Sequence, residues 1–422
     1  MERYSERMET KLFWQSSMPK HWHMIKLKYV LKKLQRSKMP NAELLICSNS
    51  GRVTKRGDNK LGLVADDDKI YQGVGKGDLL IHGMDTWHGA IAISEYDGMC
   101  TPVVHVCESN QNKSFIAYYL RNMAYEKVFK LISNGVRQNT SDFRCWDKLA
   151  AIPIILPPLT EQQAIVSYLD IKCSKLDTLV ENKEKEISLL SEMKQRIIAD
   201  AVTRGLNPNV KFKATNIPWL PEIPEHWEVK RAKNIYKKEQ RPIEDGDEIV
   251  TCFRDGEVTL RKNRRISGFT EATDYSHYQH ICKGDLVIHQ MDAFAGSSGV
   301  SDSDGMGTPV LSVCTPKISG IDNYYFAHIL RLMGKNGFIL SLYRGIRERS
   351  SDFRFETFVK QWLPVPPLSE QQAIVSYITE RTAKIDSLVE KLNKEIECIK
   401  EYKQRLISDV VTGQVKVFGY ER

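Results

Sequence analysis

Basic side chains are the residues of this chain whose types and spacing indicate binding to a polyanion. Lysine and arginine number 61 against 53 acidic residues, which gives a formal net charge of +8. Both residue types neutralise phosphates and release counterions, and arginine can also bridge O6 and N7 of guanine in the major groove. A solvated charged surface is the alternative for any single residue, but two sets of basic loops together favour nucleic acid. The twelve candidates for DNA contact are Arg52, Lys55, Arg56, Arg137, Arg144, Arg261, Lys262, Arg264, Arg265, Arg347, Arg349 and Arg354.

No motif for catalysis accompanies these basic residues. The glycine-rich stretch 73–77 lacks the GKS or GKT ending of a P-loop, and neither an S-adenosylmethionine loop nor an amino-methyltransferase motif occurs. His82 and His289 recur at matching places, each before Met-Asp, and such isolated histidines predict hydrogen-bonded turns rather than metal sites. The nine cysteines include no CxxC pair, which predicts scattered reduced thiols. The sequence therefore predicts no catalytic, cofactor-binding or metal-binding residues.

The elements that would position the basic residues are duplicated. The segment Pro157–Leu169 returns 209 residues later as Pro366–Ile378, with eleven of thirteen positions identical. The stretches between the matches differ widely, most clearly 40–75 against 245–280. Each half is therefore predicted to be a variable module followed by a well-matched segment, a unit too long for a solenoid repeat. Weaker matches join 19–22 to 224–227, 76–85 to 283–292, and 141–144 to 351–354.

Both well-matched segments are predicted to be long helices. Thr160 with Gln163, and the equivalent Ser369 with Gln372, fit capping boxes that follow a Pro-Pro pair. Helix-forming residues then continue for about 43 residues, or ~65 Å at the usual rise per residue. Glycines at positions 205 and 413 are candidate C-terminal caps.

Apolar residues in these helices recur at alternating steps of four and three, the heptad seam of a coiled coil. If an approximate two-fold axis relates the halves, the helices must run antiparallel and pack on each other. The alternative is that each helix packs back on its own module, but the narrow seam favours paired helices. The seam positions are Ile165, Leu169, Cys173, Leu176, Val180, Lys183, Ile187, Leu190, Lys194, Ile197 and Ala201, then Ile374, Ile378, Thr382, Ile385, Val389, Leu392, Ile396, Ile399, Lys403, Leu406 and Val410.

The modules are predicted to be mixed, with short strands and one longer helix each. Strands are expected at Leu79–His82, Val103–Cys107, Leu286–His289 and Val310–Cys314, and helices at 115–130 and 324–333. The predicted fold class is α/β with mixed α+β modules. Two globular domains are joined by two long helices that form an antiparallel coiled coil, in a pseudo-two-fold internal repeat.

The sequence resembles the DNA-specificity subunits of type I restriction–modification enzymes. The resemblance covers essentially the whole chain after about residue 18. Asp85 and Asp292 depart from the family's MNAW-like turn, where asparagine is expected. The segments that carry the resemblance are IPEHWEVKR (223–231), GDLLIHGMDTW (77–87), GDLVIHQMDAF (284–294) and the doubled PPL-[TS]-EQQAIVSY.

The resemblance implies a non-catalytic subunit that directs a larger complex to DNA. Two target recognition domains would each read one half of a bipartite, asymmetric site on double-stranded DNA. The helices would set the spacing and dock two methyltransferase subunits, which use S-adenosylmethionine to methylate adenine. Restriction subunits that use ATP and Mg would complete the nuclease, and this chain would hold no cofactor itself.

The same reading assigns domain boundaries and a location. The charged N-terminus is no signal peptide, and no apolar run approaches the ~18 residues of a membrane helix, so a cytoplasmic protein is expected. The predicted parts are an N-terminal extension (1–17), target recognition domain 1 (18–156), helix 1 (157–205), a linker (206–217), target recognition domain 2 (218–365), helix 2 (366–413) and a C-terminal tail (414–422).

Two other functions remain compatible with the residues. One is a self-contained nucleic-acid enzyme with its catalytic part in the divergent modules, which the missing cofactor motifs disfavour. The other is an orphan DNA-binding scaffold that has no methyltransferase partner.

Overall fold

A computed structural model of the chain describes residues 2–39, 42–57, 70–133, 141–264, 274–342 and 352–417. The chain divides into two compact units. Unit 1 comprises residues 1–184 and 393–422, and unit 2 comprises residues 185–392. Because the division falls within both long helices, each unit contains one module, the start of one long helix and the end of the other.

The described residues of the first half of the chain form twelve strands and four α-helices. Short 3-10 turns span Leu27–Tyr29 and Thr86–His88. The elements are β1 (Arg7–Leu12), β2 (Gln15–Pro19), β3 (His23–Lys26), β4 (Leu31–Lys33), β5 (Leu45–Cys47), β6 (Val53–Lys55), β7 (Gln72–Val74), β8 (Leu79–His82), β9 (Ile91–Ile93), β10 (Gly98–Cys100), β11 (Val104–Ser109), α1 (Lys113–Tyr125), α2 (Val128–Ile132), α3 (Trp146–Ala150), β12 (Pro153–Leu156) and α4 (Leu159–Arg204).

The second half repeats this order of elements. Its 3-10 turns span Arg261–Asn263 and Ala293–Ala295. The elements are β13 (Phe212–Ile217), β14 (Leu220–Pro224), β15 (Glu228–Arg231), α5 (Ala232–Ile235), β16 (Tyr236–Lys238), β17 (Val250–Cys252), β18 (Val258–Leu260), β19 (Gln279–Ile281), β20 (Leu286–His289), β21 (Ser298–Val300), β22 (Gly305–Gly307), β23 (Leu311–Pro316), α6 (Asn323–Lys335), α7 (Phe338–Ser341), α8 (Phe355–Phe358), β24 (Trp362–Val365) and α9 (Leu368–Val411).

An antiparallel four-stranded sheet is the frame of each module. Its order is β4-β11-β8-β9 in unit 1 and β16-β23-β20-β21 in unit 2. Along β8, Leu79 and Ile81 belong to the apolar cluster with α1, and Leu80 belongs to the cluster with the β5–β6 hairpin. Both faces of the sheet are therefore covered, which explains the continuous apolar run in the strand.

Most predicted module elements are confirmed with small shifts. Strands β8 and β20 have the predicted bounds, whereas β11 and β23 each begin one residue later and end two residues later than expected. The predicted helix at 115–130 is two helices, because Lys127 has a left-handed φ of 59° between α1 and α2. The expected extension (1–17) contains β1 and the start of its partner β2, and the expected linker (206–217) contains β13, whose partner β14 lies in the predicted second domain. The predicted domain boundaries themselves stay a prediction.

The long helices have the predicted seam. Every seam position in α4 and α9 is buried or half-buried. In unit 1, Lys403 binds Asp177 and Lys400 lies 3.7 Å from Glu184, so residue numbers rise along one helix as they fall along the other. The antiparallel pairing is therefore confirmed.

The lysines that interrupt the seam form ion pairs with the facing helix. Lys403 Nζ donates to both carboxylate oxygens of Asp177 at 2.6 and 2.7 Å in unit 1. In unit 2, Lys194 Nζ donates to both oxygens of Asp386 at the same two distances. The offset of 209 residues relates Lys194 to Lys403 and Asp177 to Asp386. The two contacts are therefore one pair of the repeat, made twice.

The alternative packing, helix on module, is also present. The first turns of α4, at Ile165 and Leu169, share an apolar cluster with Phe115 of the module and with Val410 at the end of α9. In unit 2 the start of α9 and the end of α4 share the equivalent cluster. Each helix thus packs on its own module where it begins and on the other helix beyond.

A glutamine, rather than the expected capping box, anchors the start of each long helix. Both helices begin before Thr160 and Ser369, so neither hydroxyl stands at the N-cap and that prediction is wrong. Instead the buried Gln162 donates to Pro157 O at 2.8 Å and accepts from Asn112 N at 3.0 Å. Asn112 is the N-cap of α1. Gln371 makes the equivalent bonds in unit 2, with Pro366 and with Asp322, the N-cap of α6.

A buried tryptophan lies where the two long helices meet in each unit. Trp22 and Trp227 are almost fully buried, and each lies beside the glycine that ends a helix. These glycines, Gly413 and Gly205, have φ of 67° and 73°, which confirms the predicted left-handed caps. The neighbouring histidine of each tryptophan binds a helix carboxylate, at 2.9 Å from Glu161 in unit 1 and at 2.8 Å in unit 2.

No helix within the described residues combines the length and the apolar character needed to cross a membrane.

We expect the seam ion pairs to couple the two helices measurably. Asp177→Lys should lower the free energy of unfolding by about 1 kcal/mol. The substitution removes a half-exposed ion pair, which contributes less than about 1 kcal/mol, and it also places two lysines in contact. Asp177→Lys combined with Lys403→Asp should regain most of the loss. Urea unfolding of the four chains in the cycle measures this coupling.

The matched control is Glu380→Lys, which reverses a carboxylate paired with Lys384 within one exposed turn of α9. It should change stability by only a few tenths of a kcal/mol. Additive effects of the two seam substitutions would contradict the proposed coupling.

Candidate nucleic-acid interface

Half of the basic candidates lie at one β-hairpin in each unit. Arg52, Lys55 and Arg56 belong to the β5–β6 hairpin of unit 1. Arg261, Lys262 and Arg264 directly follow β18, the second strand of the equivalent β17–β18 hairpin in unit 2. Arg137, Arg265, Arg347 and Arg349 lie outside the described residues, so their placement stays a prediction.

Apolar packing fixes each hairpin to the central sheet. Leu45, Cys47 and Val53 are buried with Leu80 and Val106 of the sheet. In unit 2, the equivalent hairpin residues share a cluster with Val287 and Val313. The inward face of each hairpin is thus committed to the core, and its turn and outward face are left to carry polar side chains.

An arginine from the module helix lies under each hairpin turn. Arg121 of α1 donates to Ser50 O at 3.1 Å, and the turn passes over its guanidinium at Gly51. Arg331 of α6 has the same relation to Gly256. Both glycines have positive φ, 71° and 89°, and any Cβ there would overlap the arginine side chain. The glycines therefore allow the turn to lie directly on the arginine.

The cations under the unit 2 hairpin are held in a poorly solvated position. Burial lowers the pKa of Arg331, and it also lowers the pKa of Lys335 on the same helix. His328, one turn earlier, has its pKa lowered to about 4 by burial and by Arg331, so it is neutral near pH 7. This helix face thus presents positive charge to the base of the hairpin.

The cations of the unit 1 hairpin differ in their partners. Lys55 forms an ion pair with Glu43 at 2.6 Å, which raises the pKa of the lysine, and it lies over the Tyr96 ring. Arg52 is exposed and has no side-chain hydrogen bond or ion pair with any described residue. Arg56 is half-buried and engaged in an interaction of its own. Arg52 is therefore the hairpin cation most available to an external phosphate or base.

The unit 2 hairpin neutralises most of its own charge. Arg264 pairs with Asp255 at 2.7 Å and with Glu257 at 2.8 Å, which raises the pKa of the arginine. Its guanidinium also stacks 4.3 Å from the centre of the Phe253 ring. Lys262 pairs with Glu248, and Arg261 is half-buried with an interaction of its own. These cations order the hairpin in the free protein.

The Met-Asp turn after β8 and β20 lies beside the hairpin. His82 Nδ1 accepts from Asp85 N at 3.1 Å, and His289 Nδ1 accepts from Asp292 N at the same distance, so the predicted turn histidines are confirmed. In unit 2, Arg254 of the hairpin turn binds the Asp292 carboxylate at 3.0 Å. Aspartate in this turn can thus hold the hairpin in place.

The remaining described candidates precede α3 and α8. Arg144 is exposed, has no ion pair among the described residues, and its backbone packs on the turn at Gly83. Arg354 is exposed and pairs with Asp352 at 2.5 Å. The structure therefore brings Arg144 to the same turn that supports the hairpin.

Sequence reasoning missed three of these arginines. Arg121 and Arg331 occur in a repeated Leu-Arg-x-Met motif within the two predicted helices, and this recurrence was a usable signal. Arg254 occupies a position where unit 1 has Asn49, so no recurrence could reveal it.

The two hairpins present unlike chemistry on the same frame. The unit 1 turn, residues 48–52, carries serine hydroxyls, an amide and an arginine, and the unit 2 turn, residues 253–257, carries an aromatic ring, an arginine and two carboxylates. Hydroxyls, amides and arginine can donate to base edges, whereas carboxylates can accept from the cytosine amino group. Two such surfaces would read different bases.

Sequence comparisons connect this arrangement to known proteins. A model of the type I restriction modification DNA specificity domain matches residues 19–189. The putative type I restriction enzyme MjaX specificity subunit of Methanocaldococcus jannaschii is 24% identical over 358 residues, 81% of this chain and 79% of that protein. The MjaVIII specificity subunit of the same organism is 26% identical over 282 residues, 63% of either chain. The EcoBI specificity subunit of Escherichia coli is 24% identical over 62% of this chain and 58% of its own.

Solved structures share the fold. A chain from a study of complex assembly and conformational transition of the type I R-M system aligns with a TM-score of 0.69 at 14% identity, over 94% of this chain and 99% of its own. The HsdS subunit of Thermoanaerobacter tengcongensis aligns with a TM-score of 0.51 at 15% identity, over 94% and 98%. The predicted fold class is confirmed.

We expect Gly256→Ala to lower the free energy of unfolding by more than the strain of a left-handed backbone alone would cause. A left-handed backbone costs a residue with a Cβ about 1–2 kcal/mol, and the added methyl group must also displace Arg331. The matched control is Gly246→Ala, at φ 92° with no atom within 4 Å of the new Cβ. Urea unfolding should show a larger loss for Gly256→Ala by about 1 kcal/mol or more. Equal losses of stability in the two variants would mean that Arg331 moves aside at no cost in free energy.

Proposed function

Because residues 19–189 match the type I restriction modification DNA specificity domain, we propose that this chain is the subunit that selects the DNA site of a type I restriction–modification complex. Each unit reads one half of a bipartite sequence on double-stranded DNA. The observation that carries this proposal is the repeated frame with unlike hairpins. Because the frame of each unit is the same, both units present their hairpin to DNA in the same way. Because the hairpin side chains differ, the two half-sites differ and the full site is asymmetric.

The reading surface we propose is the hairpin turn with the adjoining Met-Asp turn of each unit. Its exposed arginines, Arg52 and Arg144, are suited to phosphate or guanine, since neither has an ionic partner among the described residues. Arg254 and Arg264 begin in ion pairs with carboxylates, so they can act on DNA only by exchanging partners. Direct readout in unit 2 therefore depends on carboxylates as well as cations.

The proposed role is non-catalytic. The chain directs two methyltransferase subunits that use S-adenosylmethionine to methylate adenine, and restriction subunits that use ATP and Mg join the same complex. The narrow antiparallel helices support this role, because a continuous rigid element can fix the separation of two reading surfaces. Their solvated outer faces are the proposed docking surfaces for the methyltransferase subunits.

Single-molecule sequencing of methylated adenine in the source cell, with and without this gene, tests the proposal. Loss of methylation at one asymmetric bipartite motif is expected. The matched variant replaces residues 48–52 with residues 253–257, which keeps the glycine at the same position of the turn. Only the half-site read by unit 1 should then change. An unchanged methylome on deletion, or changes in both half-sites on exchange, would contradict the proposal.

We expect Arg52→Ala and Arg144→Ala to weaken DNA binding by the complex and to reduce its salt dependence. For each phosphate that an arginine no longer neutralises, the slope of log K against log salt should fall by about 0.9. Lys11→Ala, which removes an exposed lysine from the β1–β2 hairpin, is the control of equal charge and should leave that slope unchanged. Binding titrations over a range of salt concentrations measure the slopes. If all three variants behave alike, the two arginines are not at the interface.

A further inference from the structure

Three side chains with metal-binding atoms meet at one edge of the second module. His280, Cys282 and Asp304 each place a ligand atom within 4.8 Å of the other two. The pairing of β19 with β22 explains the convergence, because Ile281 lies opposite Gly305 and the next position on each strand is Cys282 and Asp304. His280 and Cys282, two residues apart, project to the same side of the strand.

A buried carboxylate orients the histidine. His280 Nδ1 lies 2.8 and 3.1 Å from the two carboxylate oxygens of Asp247, and both side chains are about nine-tenths buried. The other ring nitrogen, Nε2, has no hydrogen bond to Asp247 and lies 3.9 Å from Glu244 Oε1. Metal-binding histidines usually have this arrangement, in which a carboxylate holds one nitrogen and the metal binds the other.

The donor set identifies the class of metal. One imidazole, one thiolate and one carboxylate suit Zn²⁺ rather than Mg²⁺ or Ca²⁺, which take oxygen ligands. Bond lengths of about 2.0–2.3 Å place the ligand atoms of tetrahedral zinc ~3.5 Å apart. The observed separations exceed this by little more than 1 Å at most, a gap that rotation of the carboxylate side chain can close.

We propose that His280, Cys282 and Asp304 bind one Zn²⁺ ion, with Glu244 or water as the fourth ligand and Asp247 as the positioning residue. The thiol proton of Cys282 passes to solvent when the sulfur binds the metal. This site shares no residue with the proposed reading surface, and zinc binding does not depend on the proposed function.

The first module offers an internal comparison at the same backbone positions. Gly73 and Gly75 occupy the places of His280 and Cys282, since they make the equivalent backbone bonds with Arg36 O and with the Asp78 carboxylate. Ala42 occupies the place of Asp247. Each of these residues precedes a glutamate, Glu43 or Glu248, whose carbonyl accepts a hydrogen bond from the backbone N–H of Met99 or Met306.

Asp97 of the first module is the equivalent of Asp304. Each aspartate accepts a hydrogen bond from a lysine backbone N–H at 2.8 Å. The presence of this aspartate in both modules is therefore explained by the turn alone. The imidazole, its orienting carboxylate and the thiol are present together in one module and absent together from the other. A ligand shared by the three explains why they occur as a set.

A metal here would tie the turn before the unit 2 hairpin to the sheet. Glu244 and Asp247 belong to one turn, in which Asp247 N donates to Glu244 O, and β17 begins three residues later. Ile249 then bridges to Met306 of β22. With Glu244 as the fourth ligand, zinc would add a cross-link between this turn and the ends of β19 and β22.

Zinc titration of the full chain, in competition with a chromophoric chelator, tests the site. One tightly bound Zn²⁺ per chain is expected for the wild type and for Cys398→Ser, a control that removes an exposed thiol from α9. The paired substitution His280→Gly with Cys282→Gly should abolish tight binding. It reproduces the residues of the first module, so the fold should persist, as circular dichroism can verify.

Two further measurements separate a metal site from a merely structural cluster. Asp247→Asn should weaken zinc binding by about 10–100-fold, as removal of such an orienting group typically does. Cobalt substitution should give a thiolate-to-cobalt absorption band that Cys282→Ser removes. Wild-type zinc affinity no greater than that of the paired glycine variant would overturn the proposal, as would a cobalt spectrum unchanged by Cys282→Ser.

Discussion

Each unit depends on one constraint, the enclosure of a tryptophan where the start of one long helix meets the end of the other. Trp22 and Trp227 have at most 1% of their surface exposed. The helix-ending glycine lies against the ring, and a carboxylate from the first turn of the facing helix binds the neighbouring histidine. Burying an unpaired carboxylate costs free energy. The bond between histidine and carboxylate therefore also favours the docking of this end of the long helix on the module. The short motifs PKHW and PEHW are thus parts of a helix junction.

The seam between the helices combines apolar packing with cross-helix ion pairs, one of which is made twice. Apolar residues alone would allow the helices to shift in register, because neighbouring heptads present similar apolar surfaces. A lysine and an aspartate that meet only in one alignment penalise other registers and the parallel orientation, while contributing little to stability. Since Lys194–Asp386 and Lys403–Asp177 are equivalent in the repeat, the same device sets the alignment in both units.

The modules separate a common frame from variable chemistry. The central sheet, the Met-Asp turn and the arginine beneath the hairpin recur in both units, whereas the hairpin turns and the His280 cluster do not. Ion pairs also decide which cations are available. Arg264 and Lys262 appear in the sequence as a dense basic cluster, yet both are paired with carboxylates of the unit 2 hairpin region. An isolated residue such as Arg52 is more available than a member of that cluster.

The sequence by itself determined the duplication, the extent of the long helices and the seam, because periodicity and exact recurrence are local properties that survive without a structure. It could not decide which of two adjacent glutamines anchors a helix, and the structure selects Gln162 over Gln163 through a contact with Asn112, 50 residues away. It also could not place Arg121 under Gly51, pair Arg264 with Asp255, or bring His280 and Cys282 to Asp304. Those contacts join distant parts of the chain, and their geometry is fixed only when the sheet, hairpin and helices pack together.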